Sequence, residues 1–407
     1  GFAWDGADQM LFRPMARFFA VDPAGEAVNV NAMDEVPDSS WYTNRLSRQR
    51  LSTERMIQAA CGEHRIDPSR GPWTIKDAKP NGANPGFIIE DADGVSFLLK
   101  FDNKESQPER ATSGDVIGSM LYWSAGYFTP CNRVTFFDRD ILQIAEDAVI
   151  KNEEGEEVPM TFEPLEEVFT NAVRNEEGLL RATASLFLPG RPMGPWRYQG
   201  TRSDDPNDII DHDDRRELRG GRLLAAWLNH FDSREQNTLS VWNDVDGTNG
   251  YVVHYYIDFG DSFGSVWPFD EVTRRLGYSW YLDLRHVAQD FVTLGMIDRP
   301  WRHARRTALY DTFGYYDSYR FEPEDWTPGY MNPAFTRASE RDQAWMARII
   351  ARFRPEDLRA MIAEAQFSTE EKAQQLFRIV RQRQEKILER YLTVVSPLAP
   401  PVVEADT

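Results

Sequence analysis

The order of apolar and polar positions divides this chain into a strand-rich stretch followed by a helix-rich one. Residues 86–90 and 95–101 are short apolar runs separated by Asp91-Ala92-Asp93-Gly94, and Asp-Gly between two such runs predicts a β-hairpin. A turn-rich segment from Lys79 to Gly86 precedes it. Val116, Ile117, Met120, Leu121 and Trp123 recur at helical spacing and predict a helix over about 111–124, with Gly126 as its stop. Residues 132–137 and 141–144 read as further strands.

A different pattern follows. Residues 151–157 predict an acidic turn and 178–188 a strand, while 190–214 reads as a long polar loop, a kind that is usually functional or mobile. Leu218, Leu223, Leu224, Ala226, Trp227 and Leu228 predict an amphipathic helix over 215–229. A loop and strand over 230–241 and a strand over 250–259 make a second hairpin. After Trp280 the pattern is mainly helical, clearest at 339–353, 355–365 and 368–392. Residues 1–70 are polar and punctuated by Trp, with one helical stretch at 52–61, and read as a wrapping arm. The Pro-rich tail at 396–407 reads as unstructured. The expected fold class is α+β in two lobes: a small β-rich N-lobe with one helix over 71–150, and a larger, mainly helical C-lobe over 151–395.

Composition narrows the functions open to such a chain. At 407 residues, 41% hydrophobic and 13% aromatic, it can bury a sizeable core. A net charge of −19 opposes nucleic acid and anionic membrane as partners. No run of about 18 apolar residues is present, so no transmembrane segment is expected. The two cysteines, Cys61 and Cys131, have no metal-ligand spacing; they read as one disulfide or as two buried thiols. The chain opens at Gly1, which leaves open a cytoplasmic protein or one exported after removal of an N-terminal signal.

Four features carry chemistry when taken together. Lys100 ends the apolar run Phe97-Leu98-Leu99, where a buried ammonium needs anionic partners. Glu109 or Asp115, on or beside the following helix, would supply one, and Glu109 is favoured because its side chain reaches further. Asp232 and Asn237 stand five residues apart after the 215–229 helix, a spacing that lets one residue meet an acceptor hydroxyl and the other turn back to a metal. Asp258 in Ile257-Asp258-Phe259-Gly260 ends an apolar strand, as a second metal ligand would. Asp-Phe-Gly alone arises by chance in roughly one chain in 20 of this length; the order of all four parts is the more specific signal. Asp211-His212-Asp213-Asp214 reads as an acidic N-terminal cap, not a metal cluster. Arg191, Trp196, Arg197, Tyr198 and Arg202 could bind an acceptor, although a structural loop is the plainer reading.

In these segments the chain resembles the HipA-like and phosphoinositide-kinase-like branch of the protein-kinase-like superfamily, as a bacterial member. Gly82-Ala83-Asn84-Pro85-Gly86 looks like the short Gly-x-x-Pro turn which those enzymes place over phosphates. Trp227-Leu228, Asp232, Asn237 and Ser240-Val241 look like their catalytic loop. The resemblance covers about half of the chain and implies ATP and Mg2+ as cofactors. It implies Lys100, Gly82, Ala83, Asn84, Gly86 and Glu109 around the nucleotide, Asp232 as base or orienting group, and Asn237 and Asp258 on the metal. A protein Ser/Thr acceptor is the favoured reading, a small-molecule acceptor the other. A nucleotide-binding pseudokinase scaffold and an adenylyl transferase are the alternatives. The chain departs from the pattern in having no Gly-x-Gly-x-x-Gly before Lys100, and in having His230-Phe231-Asp232 for His-Arg-Asp. Arg234 stands where the two branches place a histidine soon after the catalytic Asp.

Overall fold

The computed structural model describes residues 2–19, 25–79, 85–151, 157–265, 277–305 and 310–393. Gly82, Ala83 and Asn84 of the expected phosphate turn, residues 152–156 of the acidic turn and the tail at 396–407 lie outside the described residues. The fold is α+β, with a β-sheet lobe and a mainly helical part.

The strands are β1 (Trp73–Lys79), β2 (Gly86–Glu90), β3 (Ser96–Lys100), β4 (Asn132–Phe137), β5 (Leu142–Ile144), the small pair β6 (Val149–Lys151) and β7 (Glu157–Pro159), and β8 (Leu180–Leu186). Six of them form one sheet in the order β4-β8-β3-β2-β1-β5, parallel only between β1 and β5. The β2–β3 hairpin turns because the Asp91 carboxylate accepts the Asp93 and Val95 N–H groups, and Gly94 takes a φ of 77°. Alternation then sorts the side chains of β3. Phe97 and Leu99 enter a core with Trp73, Phe87 and Phe101, which leaves Lys100 on the opposite face.

That opposite face meets α1 (Arg110–Ala125), all 16 residues of which are buried. A helix enclosed on every side needs no polar stripe, which explains Val116, Ile117 and Trp123 beside Ser113, Asp115 and Ser119. Gly126, at φ 129°, ends it; a Cβ there would lie 2.2 Å from the Tyr42 ring.

In the helical lobe, α2 (Arg216–Leu228) leads into a three-stranded sheet of β9 (Arg191–Pro192), β10 (Thr238–Asp244) and β11 (Gly250–Tyr256). Next come α3 (Leu284–Val292), α4 (Glu340–Ile350), α5 (Pro355–Ala363) and α6 (Glu370–Leu392). The acidic run before α2 does not cap it. Its Asp213 and Asp214 pair with the half-buried Arg337, and Asp214 with the buried Arg219 as well, so those carboxylates answer guanidinium groups instead. The Arg216 N–H is held by the Asn29 side chain at 2.8 Å, from a part of the chain 187 residues away. Trp196 and Tyr198 of the 190–214 loop are buried in an aromatic cluster with Trp41 and Tyr256, so they support the structure and are not open to an acceptor.

Cys61 and Cys131 form a disulfide that closes a loop of 70 residues. Chain entropy for a loop of that length corresponds to about 4 kcal/mol of stabilisation. The ring encloses β1 to β3 and α1.

Residues 25–60 lie across both lobes. Trp41 stacks on His254 at a 3.5 Å centroid distance, and His254 Nδ1 lies 3.3 Å from the Ser40 carbonyl. Burial, with the neighbouring His212 and Arg215 adding to it, lowers the His254 imidazole to about 3 against the opposing pull of the Ser40 carbonyl and Asp208. Folded His254 is therefore neutral, whereas unfolded His254 takes up a proton below about 6.5. Its contribution to stability is complete above that value and is lost as pH falls toward 3. Denaturant unfolding at pH 7 and pH 5 should differ by about 2 kcal/mol from this group alone. The wild-type difference should shrink by that amount in His254→Gln, and an unchanged pH dependence would rule the assignment out.

Candidate functional site

The site is built where β3, α1 and the end of β11 converge. Lys100 Nζ lies 3.2 Å from Asp115 Oδ2 and 3.2 Å from Asp258 Oδ1. Burial alone would lower the ammonium's pKa, but the two carboxylates outweigh it and hold it above the usual range. Burial pushes the Asp115 carboxyl up to about 6, with Lys100 resisting and Asp258 adding to the rise. For Asp258 burial acts in the same sense, yet Lys100 and the Gly260 N–H outweigh it and keep the group below the ordinary carboxylate range.

The partner of Lys100 on α1 is thus Asp115, which corrects the expectation of Glu109. Glu109 lies before the first turn of α1, six residues from Asp115, against the start of α6. Its carboxylate takes the Ser368 N–H and the Lys372 ammonium, each at 2.8 Å. Asp115 is short, but α1 comes close enough for it. A Cβ on Gly114 would lie 2.8 Å from the Phe259 carbonyl oxygen, and one on Gly118 would lie 2.6 Å from Phe259 Cβ. These glycines let α1 lie directly on Asp258-Phe259-Gly260. The Asp115 carboxylate also accepts the Phe259 N–H at 3.0 Å. Tyr122, one turn beyond Gly118, packs on Phe259 at 4.9 Å between ring centroids. Arg110 donates to the Gly260 carbonyl oxygen.

On the other side, α2 ends at Asn229 in the left-handed region, with φ 53°. The chain then turns through His230, Phe231 and Asp232. His230 Nδ1 is 3.1 Å from the Tyr122 hydroxyl, and its ring lies 5.5 Å from that of Phe259. Burial lowers its pKa against the pull of Asp261 and Asp258, so a neutral imidazole backs the loop. Register explains why Asn237 and Asp258 are neighbours. Thr238 pairs with Tyr256 across the hairpin, and the Ile257 N–H continues the ladder to the Asn237 carbonyl at 3.2 Å. The Asn237 amide nitrogen donates to the Asp232 carbonyl and carboxylate at 2.7 and 3.0 Å.

Asp232 is buried. Burial, with repulsion from Asp261 and Asp258, pushes it well above the usual range, while Arg234 and Asn237 oppose that shift. Arg234 Nε is 2.8 Å from Asp232 Oδ1, and the guanidinium lies over the Tyr330 ring at 4.8 Å. Among the described residues, no group of three or more His, Cys, Asp or Glu side chains is arranged to hold a metal unaided. Gly86 opens β2 opposite Lys100, and a Cβ there would lie 2.5 Å from the Leu99 carbonyl oxygen.

Lys100, Asp232, Asn237 and Asp258 come together, Gly86 adjoins Lys100, and Glu109 lies apart. Gly114, Gly118, Tyr122, Arg110 and Asp261 were not anticipated. A Gly-x-x-x-Gly-x-x-x-Tyr spacing on the predicted helix was the available signal for the first three.

No family profile matches the chain, and no curated protein matches it by sequence. Solved structures similar to it include the proinflammatory kinase CtkA of Helicobacter pylori, at 11% identity over 81% of this chain and 95% of that one, with a TM-score of 0.41. A Golgi casein kinase matches at 7% identity over 78% and 71%, with a TM-score of 0.37. The Rio2 kinase of Chaetomium thermophilum, solved as an ADP/Mg2+-phosphoaspartate complex, matches at 12% identity over 78% and 73%, with a TM-score of 0.29.

The glycine contacts can be tested directly. Gly118→Ala should destabilise the protein by about 1–3 kcal/mol, the scale for overpacking a filled interior. Denaturant unfolding with an unshifted midpoint would mean that α1 and Phe259 are not in contact.

Proposed function

We propose that this chain is an ATP- and Mg2+-dependent phosphotransferase, with a protein Ser/Thr side chain as acceptor. The observation that carries the reading is the Lys100 ammonium held 3.2 Å from both Asp115 and Asp258. Phosphoryl transfer needs phosphates positioned, metal placed and an acceptor oriented, with little covalent work from the protein.

The residues fit these roles. Lys100 would contact phosphate oxygens, with Gly82, Ala83, Asn84 and Gly86 as the turn over them. Asn237 uses its amide nitrogen on Asp232, which leaves its amide oxygen to ligate metal beside Asp258. Mg2+ takes few protein ligands when phosphate oxygens and water complete its shell, so two suffice. The mutual repulsion of Asp232, Asp258 and Asp261 also favours a cation among them. Bound Mg2+ would supply neutralisation of the charge that develops on the transferred group. Asp232, whose burial raises its proton affinity, would accept or orient the acceptor hydroxyl's proton, and Arg234 would hold its carboxylate in place. The Cys61–Cys131 disulfide supports an oxidising compartment for the protein.

The test uses ATP labelled at the α or the γ phosphate, with Mg2+ and an acceptor mixture, for wild type beside Asp258→Ala. We expect transfer of the γ label, reduced in the variant by roughly 100- to 1,000-fold, the scale for losing one preorganised charge contact. Transfer of the α label would mean an adenylyl transferase. ATP binding with no transfer would mean a scaffold.

A further inference from the structure

Glu109, the carboxylate that does not reach Lys100, is only 3% exposed and takes a φ of 66°. A non-glycine residue reaches that left-handed region only under strain, and such residues persist where the surroundings fix them. Here both carboxylate oxygens are engaged. Oε1 accepts the Ser368 N–H and Oε2 meets Lys372 Nζ, while Lys372 Nζ also lies 3.2 Å from Ser368 Oγ. Lys372 belongs to the first turn of α6.

A second bridge runs beside the first. Arg181 on β8 donates to Thr112 Oγ1 in α1 at 3.0 Å, and to the carbonyl oxygens of Gln366 and Ala365 at 2.7 and 2.5 Å. Gln366 is itself left-handed, with a φ of 49°. The first turn of α1 is therefore fastened twice to residues 365–372, far along the chain. The same turn donates from Arg110 to the Gly260 carbonyl, and the next turn carries Gly114 and Asp115. Helices move as rigid rods, so a shift at Glu109 carries to Asp115, roughly 9 Å along the axis.

We propose that Glu109 is a positioning residue: its clamp on Ser368 and Lys372 sets where α1 lies, so that the start of α6 governs the Lys100–Asp115–Asp258 contact. Removing Lys372 takes away the cation in direct contact with this buried carboxylate, with Arg181 as its remaining charged neighbour, and the loss of that clamp releases the first turn of α1 to shift. The effect on turnover rests on the phosphotransferase reading; the mechanical coupling does not.

Lys372→Met, Glu109→Gln, the double variant and the conservative Lys372→Arg separate coupling from simple bracing. Two quantities are read well below the melting temperature: kcat/KM for Mg-ATP, and hydrogen exchange of the Phe259 amide, which Asp115 holds. Lys372→Met should lower kcat/KM by roughly two- to thirtyfold, the range for coupling through a packed network. It should also speed Phe259 exchange, and Lys372→Arg should restore both. The double variant should be no worse than the poorer single one. The proposal is overturned if Lys372→Met lowers only the melting temperature, with Phe259 exchange as in wild type, or if the two substitutions add. Should wild type transfer no phosphate, faster Phe259 exchange in Lys372→Met still supports the coupling, and unchanged exchange still overturns it.

Discussion

The Lys100 ammonium bridges parts of the chain that share no secondary structure. Its own strand lies in the sheet, Asp115 belongs to α1, and Asp258 ends the hairpin of the helical lobe. Burying any one of these charges alone would be unfavourable, and removing one partner from such a group costs about 3–5 kcal/mol. The three groups are therefore mutually dependent in position. The surrounding packing serves that dependence. Gly114 and Gly118 remove the bulk that would hold α1 off Phe259, while Tyr122 and a neutral His230 fill the space behind.

This closeness also explains which parts of the site could be read in advance. The Asp232 to Asn237 spacing and the Asp-Phe-Gly run are local, and so are the turns that position them, so the sequence pattern located them on the second hairpin. The partner of Lys100 depends on the distance between β3 and α1, which no local pattern encodes. Glu109 was favoured for its reach, on the implicit assumption of ordinary spacing. Two glycines bring α1 nearer than that, and a side chain one methylene shorter is the one that fits.

Other features of the fold share that origin. Asp213 and Asp214 stand where a helix cap is expected, but the guanidinium groups of Arg219 and Arg337 compete for them more strongly than backbone N–H groups do. Trp196 and Tyr198 sit in a polar loop, and residues distant in sequence, among them Trp41, Tyr256 and Phe335, make them interior residues. The hairpins and the long C-terminal helices were legible because each states its own period, and α1 from the spacing of its large apolar residues and its glycine stop. Their mutual contacts are non-local and had to be seen.

The segment between residues 25 and 60 has a consequence for how this protein could be modified or reused. Asn29 caps α2, Asp34 neutralises the buried Arg216, and Tyr42 closes over Gly126. A fragment beginning at the sheet would not be a self-sufficient folding unit. It would expose a helix end, a guanidinium with half its counter-charge, and an aromatic cleft. Gene fusions or trimmed versions should therefore keep this segment intact, and a recombination breakpoint within it would separate two halves that do not complete each other.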